Sequence, residues 1–292
     1  METKILKGKT VSKHIKENLS PIISSLKDEG IIPGLAAVLV GDDPASQVYV
    51  NSKSKVFESN GCYSKTYKMP ANSSEKELLD LIEDLNNSSK IHGILIQLPL
   101  PKHLDSKKIL NRVDPMKDVD GFHPLNLGSL FEGSPSFIPC TPNGIIEILD
   151  YYNIETSGKH VVIIGRSNIV GKPMFALLAQ KFKVGNSTVT MCHTGTKDIS
   201  YFTKQADIVI AAVGVPEMLT GDMIKQGACL VDVGINRIKD NSSEKGYRLV
   251  GDVHSESVLG KASSLTPVPG GVGPMTITML LYNTVKSAQL LR

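Results

Sequence analysis

The apolar run Val161-Val162-Ile163-Ile164 breaks on a seven-residue turn, Gly165-Arg166-Ser167-Asn168-Ile169-Val170-Gly171, and resumes as a helix-like stretch over residues 172–182. No other feature constrains the fold as tightly. A strand, a glycine turn and a helix in that order place the unpaired amides of a first helical turn beside a strand end. Such amides hold a phosphate, and glycine lets the backbone approach it. The turn departs from G-x-G-x-x-G, with Ser167 in the middle position and the last glycine six residues after the first. By itself it matches many ordinary strand-to-helix junctions. The rhythm that follows narrows the reading. Apolar, strand-like runs recur at residues 188–192, 208–213, 229–233 and 264–266, with helix-compatible segments between most of them. That is the pattern of a doubly wound α/β fold on a parallel sheet. In the version that takes an unphosphorylated ribose, the second strand ends on an acid. Here it ends in His193-Thr194-Gly195-Thr196-Lys197 with no acid, and Arg166 stands in the glycine turn. A guanidinium there suits a ribose 2′-phosphate bidentately, or else Arg166 is a solvated loop residue.

At 292 residues the chain accommodates two domains of ordinary size. Its net charge of +3, from 32 basic and 29 acidic residues, comes without a block of like charge, which argues against nucleic acid and membrane surfaces as partners. The start, Met-Glu-Thr-Lys-Ile-Leu, lacks the basic and apolar regions of a signal peptide, and no apolar run approaches the roughly 18 residues that span a bilayer. A soluble cytoplasmic protein is therefore expected. Cys62, Cys140, Cys192 and Cys229 lie far apart, and the seven histidines are scattered. The cysteines read as buried small hydrophobes, with neither a disulfide framework nor a metal site expected.

The first half carries its own alternation: helix over 11–29, strand over 35–40, helices over 44–60 and 74–87, strand over 93–97. Two domains follow. Residues 139–144, Pro-Cys-Thr-Pro-Asn-Gly, resist regular structure and form the expected hinge, with a helix over 145–152 leading into the second domain. Residues 241–246 read as a hairpin tip, and a final helix over 275–290 returns to the first domain.

Asp42-Asp43-Pro44 supplies a cap and a first-turn proline, so a helix starts at Pro44 and puts Tyr49 and Lys53 on one face, four residues apart. In isolation that pair is equally a solvated lysine beside a surface tyrosine. Gln97 ends an apolar strand, where open α/β sheets place ligands. Asp118-Val119-Asp120-Gly121-Phe122 offers a carboxylate in a glycine turn that is otherwise an ordinary Asx turn. Residues 266–274, Thr-Pro-Val-Pro-Gly-Gly-Val-Gly-Pro, are too stiff and glycine-rich for a linker and read as a backbone-shaped wall against a flat ligand.

Six segments together resemble one family: Tyr-Val-Asn-Ser-Lys (49–53), Gln-Leu-Pro-Leu-Pro (97–101), Lys-Asp-Val-Asp-Gly-Phe (117–122), Pro-Cys-Thr-Pro-Asn-Gly (139–144), Gly-Arg-Ser-Asn-Ile-Val-Gly (165–171) and Pro-Val-Pro-Gly-Gly-Val-Gly-Pro-Met-Thr (267–276). They resemble the bifunctional methylenetetrahydrofolate dehydrogenase/cyclohydrolases of one-carbon metabolism, in order and over essentially the whole chain. The resemblance implies a three-layer α/β catalytic domain of residues 1–143 and 275–292, and a Rossmann-like, doubly wound NADP-binding domain of residues 144–274. It implies that Lys53 is the general acid/base, that Gln97 bonds its amine, that Tyr49 stacks on the folate and that Asp120 pairs with the pterin. Leu98, Pro269, Gly270, Gly271, Val272 and Gly273 would complete the folate site, and Gly165, Arg166, Ser167, Thr194, Ile235 and Thr276 would hold NADP. Tetrahydrofolate derivatives as substrates and a homodimer follow from the same resemblance. The one departure is a Ser-rich insertion before Gly246, which should only lengthen a surface hairpin. Outside this family, a hydroxy- or amino-acid oxidoreductase would need a basic clamp for a carboxylate that no motif presents. A nucleotide-sensing module would have no use for Tyr49, Lys53, Gln97 and Asp120 together.

Overall fold

The structure is a computed structural model, and it describes residues 1–240, 242–243 and 246–292. The chain runs β1 (Lys4–Ile5), α1 (Gly8–Asp28), β2 (Gly34–Val40), α2 (Pro44–Ser59), β3 (Tyr63–Met69), α3 (Glu75–Asn87), β4 (Gly93–Ile96), α4 (Ser106–Leu110), α5 (Pro124–Glu132) and α6 (Cys140–Tyr151). It continues through β5 (His160–Ile164), α7 (Gly171–Ala179), β6 (Thr188–Cys192), α8 (Ile199–Thr203), β7 (Ile208–Ala211), β8 (Cys229–Asp232), β9 (Asn236–Lys239), β10 (Tyr247–Val250), α9 (Ser255–Val258), β11 (Ser264–Leu265) and α10 (Val272–Leu290). Two compact units result. One joins Met1–Lys13 to Thr141–Thr276, the other His14–Cys140 to Ile277–Arg292.

The unit of His14–Cys140 and Ile277–Arg292 is built on a parallel sheet of order β3-β2-β4. Every residue of β2 and β4 is buried, as expected of parallel strands covered on both faces. Ala36, Val38, Val40, Ile94 and Ile96 share one face and pack with Leu78, Ile82 and Leu85 of α3. The two helices after β2 and β3 start where local chemistry dictates. Asp43 accepts the Ser46 amide at 2.8 Å with Pro44 in the first turn of α2, and Ser74 and Glu77 form a reciprocal capping box on α3. The edge strand β3 was not anticipated. Its sequence, Tyr-Ser-Lys-Thr-Tyr-Lys-Met, has no fully buried position, so it carries no apolar run to read.

The other unit holds six parallel strands in the order β1-β11-β8-β7-β5-β6, with the antiparallel pair β9-β10 beside it. The chain goes outward from β5 to β6, then crosses back to β7 on the other side of β5. This reversal makes the carboxyl ends of β5 and β7 the topological switch point, where such sheets bind ligands. The first residues of the chain belong here and not with the folds of the first half, because β1 pairs with β11.

Three boundaries differ from expectation. Residues 139–144 are no irregular hinge: α6 begins at Cys140, with Pro142 in its first turn, where a missing amide is harmless. Gly144 fits there because a Cβ would crowd Met275. Helix α7 stops at Ala179 because the carbonyls of Leu178 and Gln180 are taken by the amides of Ser187 and Asn186. Helix α10 begins at Val272, inside the expected loop, so Val272, Gly273 and Pro274 form its first turn. The hairpin tip at residues 241–246 flanks β9 and β10, but Asn241, Glu244 and Lys245 lie outside the described residues.

Candidate active site

Two groups of side chains carry chemistry, one in each unit. In the unit of the three-stranded sheet, Lys53 lies one helical turn beyond Tyr49 on α2, and its Nζ sits 4.4 Å from the centroid of the Tyr49 ring. The lysine is 4% exposed, so the solvated-surface reading of this pair is excluded. Its Nζ donates to Gln97 Oε1 at 3.2 Å, while Gln97 Nε2 donates to the Leu98 carbonyl at 2.8 Å. The Leu98 carbonyl thereby fixes which end of the amide meets the lysine. A neutral oxygen accepts from an amine or an ammonium alike, so the contact orients Lys53 without enforcing its charge.

Asp120 is presented by a turn that its neighbour Asp118 constructs. Asp118 accepts from the amides of Phe122 at 3.2 Å and His123 at 2.8 Å and from Asn126 Nδ2 at 2.8 Å. Gly121 follows with φ of +74°, and a Cβ there would meet the Pro139 backbone. From the far end of the chain, Asn283 Nδ2 donates to the Val119 carbonyl at 2.8 Å and the Ile138 carbonyl at 3.0 Å, and the Cys140 thiol donates to the same Val119 oxygen at 3.2 Å. Burial pushes the Lys53 amine below its ordinary pKa, against the opposing pull of Asp120 and Cys140. Burial pushes the Asp120 carboxyl up, with the Lys53 charge working the other way. An amine whose pKa is lowered by burial, with a buried carboxyl acting on it, has the chemistry to take up and give back a proton.

In the six-stranded unit, Gly165 ends β5 with φ of +126°, and a Cβ on it would overlap the Ala212 carbonyl beyond β7. A Cβ on Gly171 would overlap the Gly165 carbonyl. Both glycines therefore serve close approach of turn, strand and helix, as in dinucleotide folds. Ser167 Oγ accepts from the amides of Val170 at 3.0 Å and Gly171 at 3.4 Å, the donors a phosphate would meet at the head of α7. Arg166, Ser167 and Thr194 are exposed. Thr194 stands in a turn closed by His193, whose Nδ1 accepts the Gly195 amide at 3.0 Å. Ile235, 58% exposed, follows β8, and its Cδ1 lies 3.2 Å from where a Cβ on Gly273 would stand. Thr276 shares a 2.9 Å hydrogen bond with Thr141.

Of the residues read from the sequence, the structure links Tyr49 to Lys53, Lys53 to Gln97 and Gln97 to Leu98, with Asp120 close enough to act on Lys53 electrostatically. Gly165, Arg166, Ser167 and Thr194 line neighbouring strand ends. Pro269, Gly270, Gly271, Val272 and Gly273 belong with Ile235 in the six-stranded unit, where α1 buttresses them: the Lys9 amide donates to the Gly270 carbonyl at 3.2 Å, and a Cβ on Gly8 would overlap Gly271. Missed were Cys140, read as a small hydrophobe although its thiol bonds the Val119 carbonyl beside Asp120, and the carboxylates Asp232 and Asp252. Cys140 was signalled only by its place in the 139–144 motif. Among the described residues, no three His, Cys, Asp or Glu side chains form a group that could hold a metal ion. No helix of the described residues is long and apolar enough to cross a membrane.

Residues 6–120 match the family model for the tetrahydrofolate dehydrogenase/cyclohydrolase catalytic domain, and residues 139–292 the model for its NAD(P)-binding domain. The bifunctional protein FolD of Chloroherpeton thalassium is 55% identical over 286 residues, 97% of either chain. The crystal structure of the bifunctional FolD methylenetetrahydrofolate dehydrogenase/cyclohydrolase of Campylobacter jejuni superposes with a TM-score of 0.93 at 50% identity, covering 99% of each chain. The Trypanosoma brucei methylenetetrahydrofolate dehydrogenase-cyclohydrolase, solved with NADP and an inhibitor, gives 0.93 at 37% identity over 99% of this chain and 98% of that one. With two matched domains, near-complete coverage and a buried lysine site in the matched catalytic domain, the chain belongs to the tetrahydrofolate dehydrogenase/cyclohydrolase family.

Proposed function

We propose that the chain oxidises 5,10-methylenetetrahydrofolate with NADP and hydrolyses the resulting methenyl cation to 10-formyltetrahydrofolate, with both reactions on one folate site. The observation that carries this reading is the buried amine of Lys53, held by Gln97 over the face of Tyr49 with its pKa depressed by burial. The nicotinamide, when bound, accepts a hydride from the methylene carbon, a step that depends on alignment. Gly165, Arg166, Ser167, Thr194, Ile235 and Thr276 fit that cofactor. Gly165 and Gly171 let β5, the turn and the head of α7 approach one another as dinucleotide folds require, and an exposed guanidinium stands ready for a 2′-phosphate.

In the hydrolytic step the free amine of Lys53 takes a proton from water as its oxygen attacks the methenyl carbon. Lys53 returns that proton to N5 as the C–N5 bond breaks, and the hydroxyl left on the carbon gives its proton to solvent as it becomes the carbonyl, leaving the formyl group on N10 with one proton released overall. Gln97 aims the amine, Tyr49 supplies a stacking face for the folate, and Asp120 pairs with the pterin's amino-pyrimidine edge. Leu98 and the backbone of Pro269, Gly270, Gly271, Val272 and Gly273 complete the folate contacts. The unit of His14–Cys140 and Ile277–Arg292 carries folate and the unit of Met1–Lys13 and Thr141–Thr276 carries NADP. On family grounds the protein is a cytoplasmic homodimer, so sedimentation should read about twice the 31.5 kDa of one chain. An ultraviolet assay with methylenetetrahydrofolate and NADP tests the whole reading: reduced cofactor and methenyl product should appear and the methenyl band then decay faster than its spontaneous rate. Formation of reduced cofactor with no enzymatic decay would make the protein a dehydrogenase only.

A further inference from the structure

Two carboxylates that the folate chemistry does not use are buried side by side in the six-stranded unit, Asp232 at 2% exposure and Asp252 at 0%. Backbone amides satisfy them. Asp232 Oδ1 accepts from Gly234 at 3.1 Å and from the Asp252 amide at 2.8 Å, and its Oδ2 accepts from Val253 at 3.0 Å. Asp252 Oδ2 accepts from Val213 at 2.7 Å and Gly214 at 2.9 Å, while its Oδ1 takes the side-chain amide of Asn236 at 3.0 Å. Two glycines belong to the same device, since a Cβ on Gly234 would overlap the Asp252 carboxylate and one on Gly251 the Asp232 carboxylate. Burying two like charges beside each other is unfavourable, and apolar filling would stabilise a core as well or better. The pair therefore needs a reason other than stability.

That reason lies in what the amides belong to. Val213 and Gly214 form the turn after β7, next to Gly165 at the switch point, and Gly234 precedes Ile235 in the turn after β8. We infer that Asp232 and Asp252 are positioning residues for the dinucleotide, each carboxylate gripping from beneath one of the two turns, 213–214 and 234–235, against which it is held. The two grips are in series, because Asp232 also holds the backbone amide of Asp252. The Asp232 amide in turn donates to Thr266 Oγ1 at 2.7 Å, at the head of the proline-glycine loop. Three adjacent strand ends, those of β11, β8 and β7, are thereby tied together. This inference rests on NADP being the cofactor.

The hydrogen bonds make the test asymmetric. In Asp252→Asn, one oxygen still accepts Val213 and Gly214, and Asn236 can turn its side-chain amide over to meet the new NH₂. In Asp232→Asn, every partner is a backbone donor, so the NH₂ meets an N–H with no means of adjustment. NADP titrated calorimetrically into the full-length protein should bind Asp252→Asn within about threefold of wild type, whereas Asp232→Asn and Asp252→Ala should each lose about tenfold or more. Hydrolysis of methenyltetrahydrofolate supplied directly, which needs no dinucleotide, reports in each variant whether the fold survives. Wild-type NADP affinity in Asp232→Asn overturns the inference, as does a parallel fall of affinity, hydrolysis and melting temperature in all three variants. A wild-type chain that binds no NADP overturns the cofactor reading and the inference with it.

Discussion

Lys53 is unusual among the chain's lysines in having its charge opposed by burial while a carboxyl and a thiol favour it. Below its depressed pKa the amine is protonated and cannot take a proton from water, so hydrolysis should decline as pH falls through that value. Asp120→Asn removes a group that raises this pKa, and the acidic limb of kcat for the hydrolysis should move to lower pH. An unmoved limb would detach Asp120 from the proton chemistry. Lys53→Met should depress hydrolysis by at least about 10², the lower bound for general acid/base catalysis, yet spare part of the dehydrogenase rate, which needs alignment alone. Decay of the methenyl absorbance above the spontaneous rate measures the first, reduced cofactor the second. At the other site, Arg166→Ala should erase most of a roughly ten- to hundredfold preference for NADP over NAD, the worth of one charge-assisted pair, and KM for each dinucleotide decides it. Tyr49, Lys53 and Gln97 were readable because helix period and strand ends place side chains by rule. Cys140 and Asp252 were not, because their roles arise from partners more than twenty residues away, Val119 and Val213.

Among the elements, those with strong apolar periodicity or capping chemistry were legible: β2, α2, α3, β4, β5, β6, β7, β8 and β11. Strand β3 escaped because half-exposed Tyr, Thr and Lys side chains carry its alternation. The start of α6 escaped because proline and glycine, read as breakers, sit where a first turn tolerates the one and Met275 demands the other. Helix α3 shows what an element needs beyond periodicity. Its last turn is closed by the buried Lys117, whose Nζ donates to the carbonyls of Leu85 at 3.2 Å, Asn86 at 2.6 Å and Ser88 at 2.8 Å. Burial lowers the pKa of that lysine, with Asp114 opposing. Lys117→Met keeps the stem and strands the three carbonyls, so urea unfolding should show a loss of about 3 kcal/mol at unchanged m-value. A loss under 1 kcal/mol would mean that water replaces the ammonium there.

At the scale of the molecule, neither unit is a continuous stretch of chain. The last helix closes the unit that holds Lys53: Asn283 bonds the carbonyls on either side of the Asp120 turn, and Ser287 Oγ lies 2.5 Å from the His92 carbonyl and 2.7 Å from that of Met116. Asn283→Ala should therefore weaken folate binding and lower stability by about 2 kcal/mol, while NADP affinity measured by calorimetry stays at the wild-type value. Equal losses for both ligands would show that the residue supports the whole chain and not one unit. The same interleaving governs how the protein comes into being. Once Cys140 has been added, the 152 residues 141–292 must still follow before the unit begun by His14 has all its parts, the last sixteen of them from the final helix onward. At about 5–20 residues per second, the nascent first half waits roughly 8–30 seconds for its missing helix. Throughout that interval the apolar residues of the first half stand open to chaperones, and Asn283 reaches the Val119 and Ile138 carbonyls only once that helix has been made.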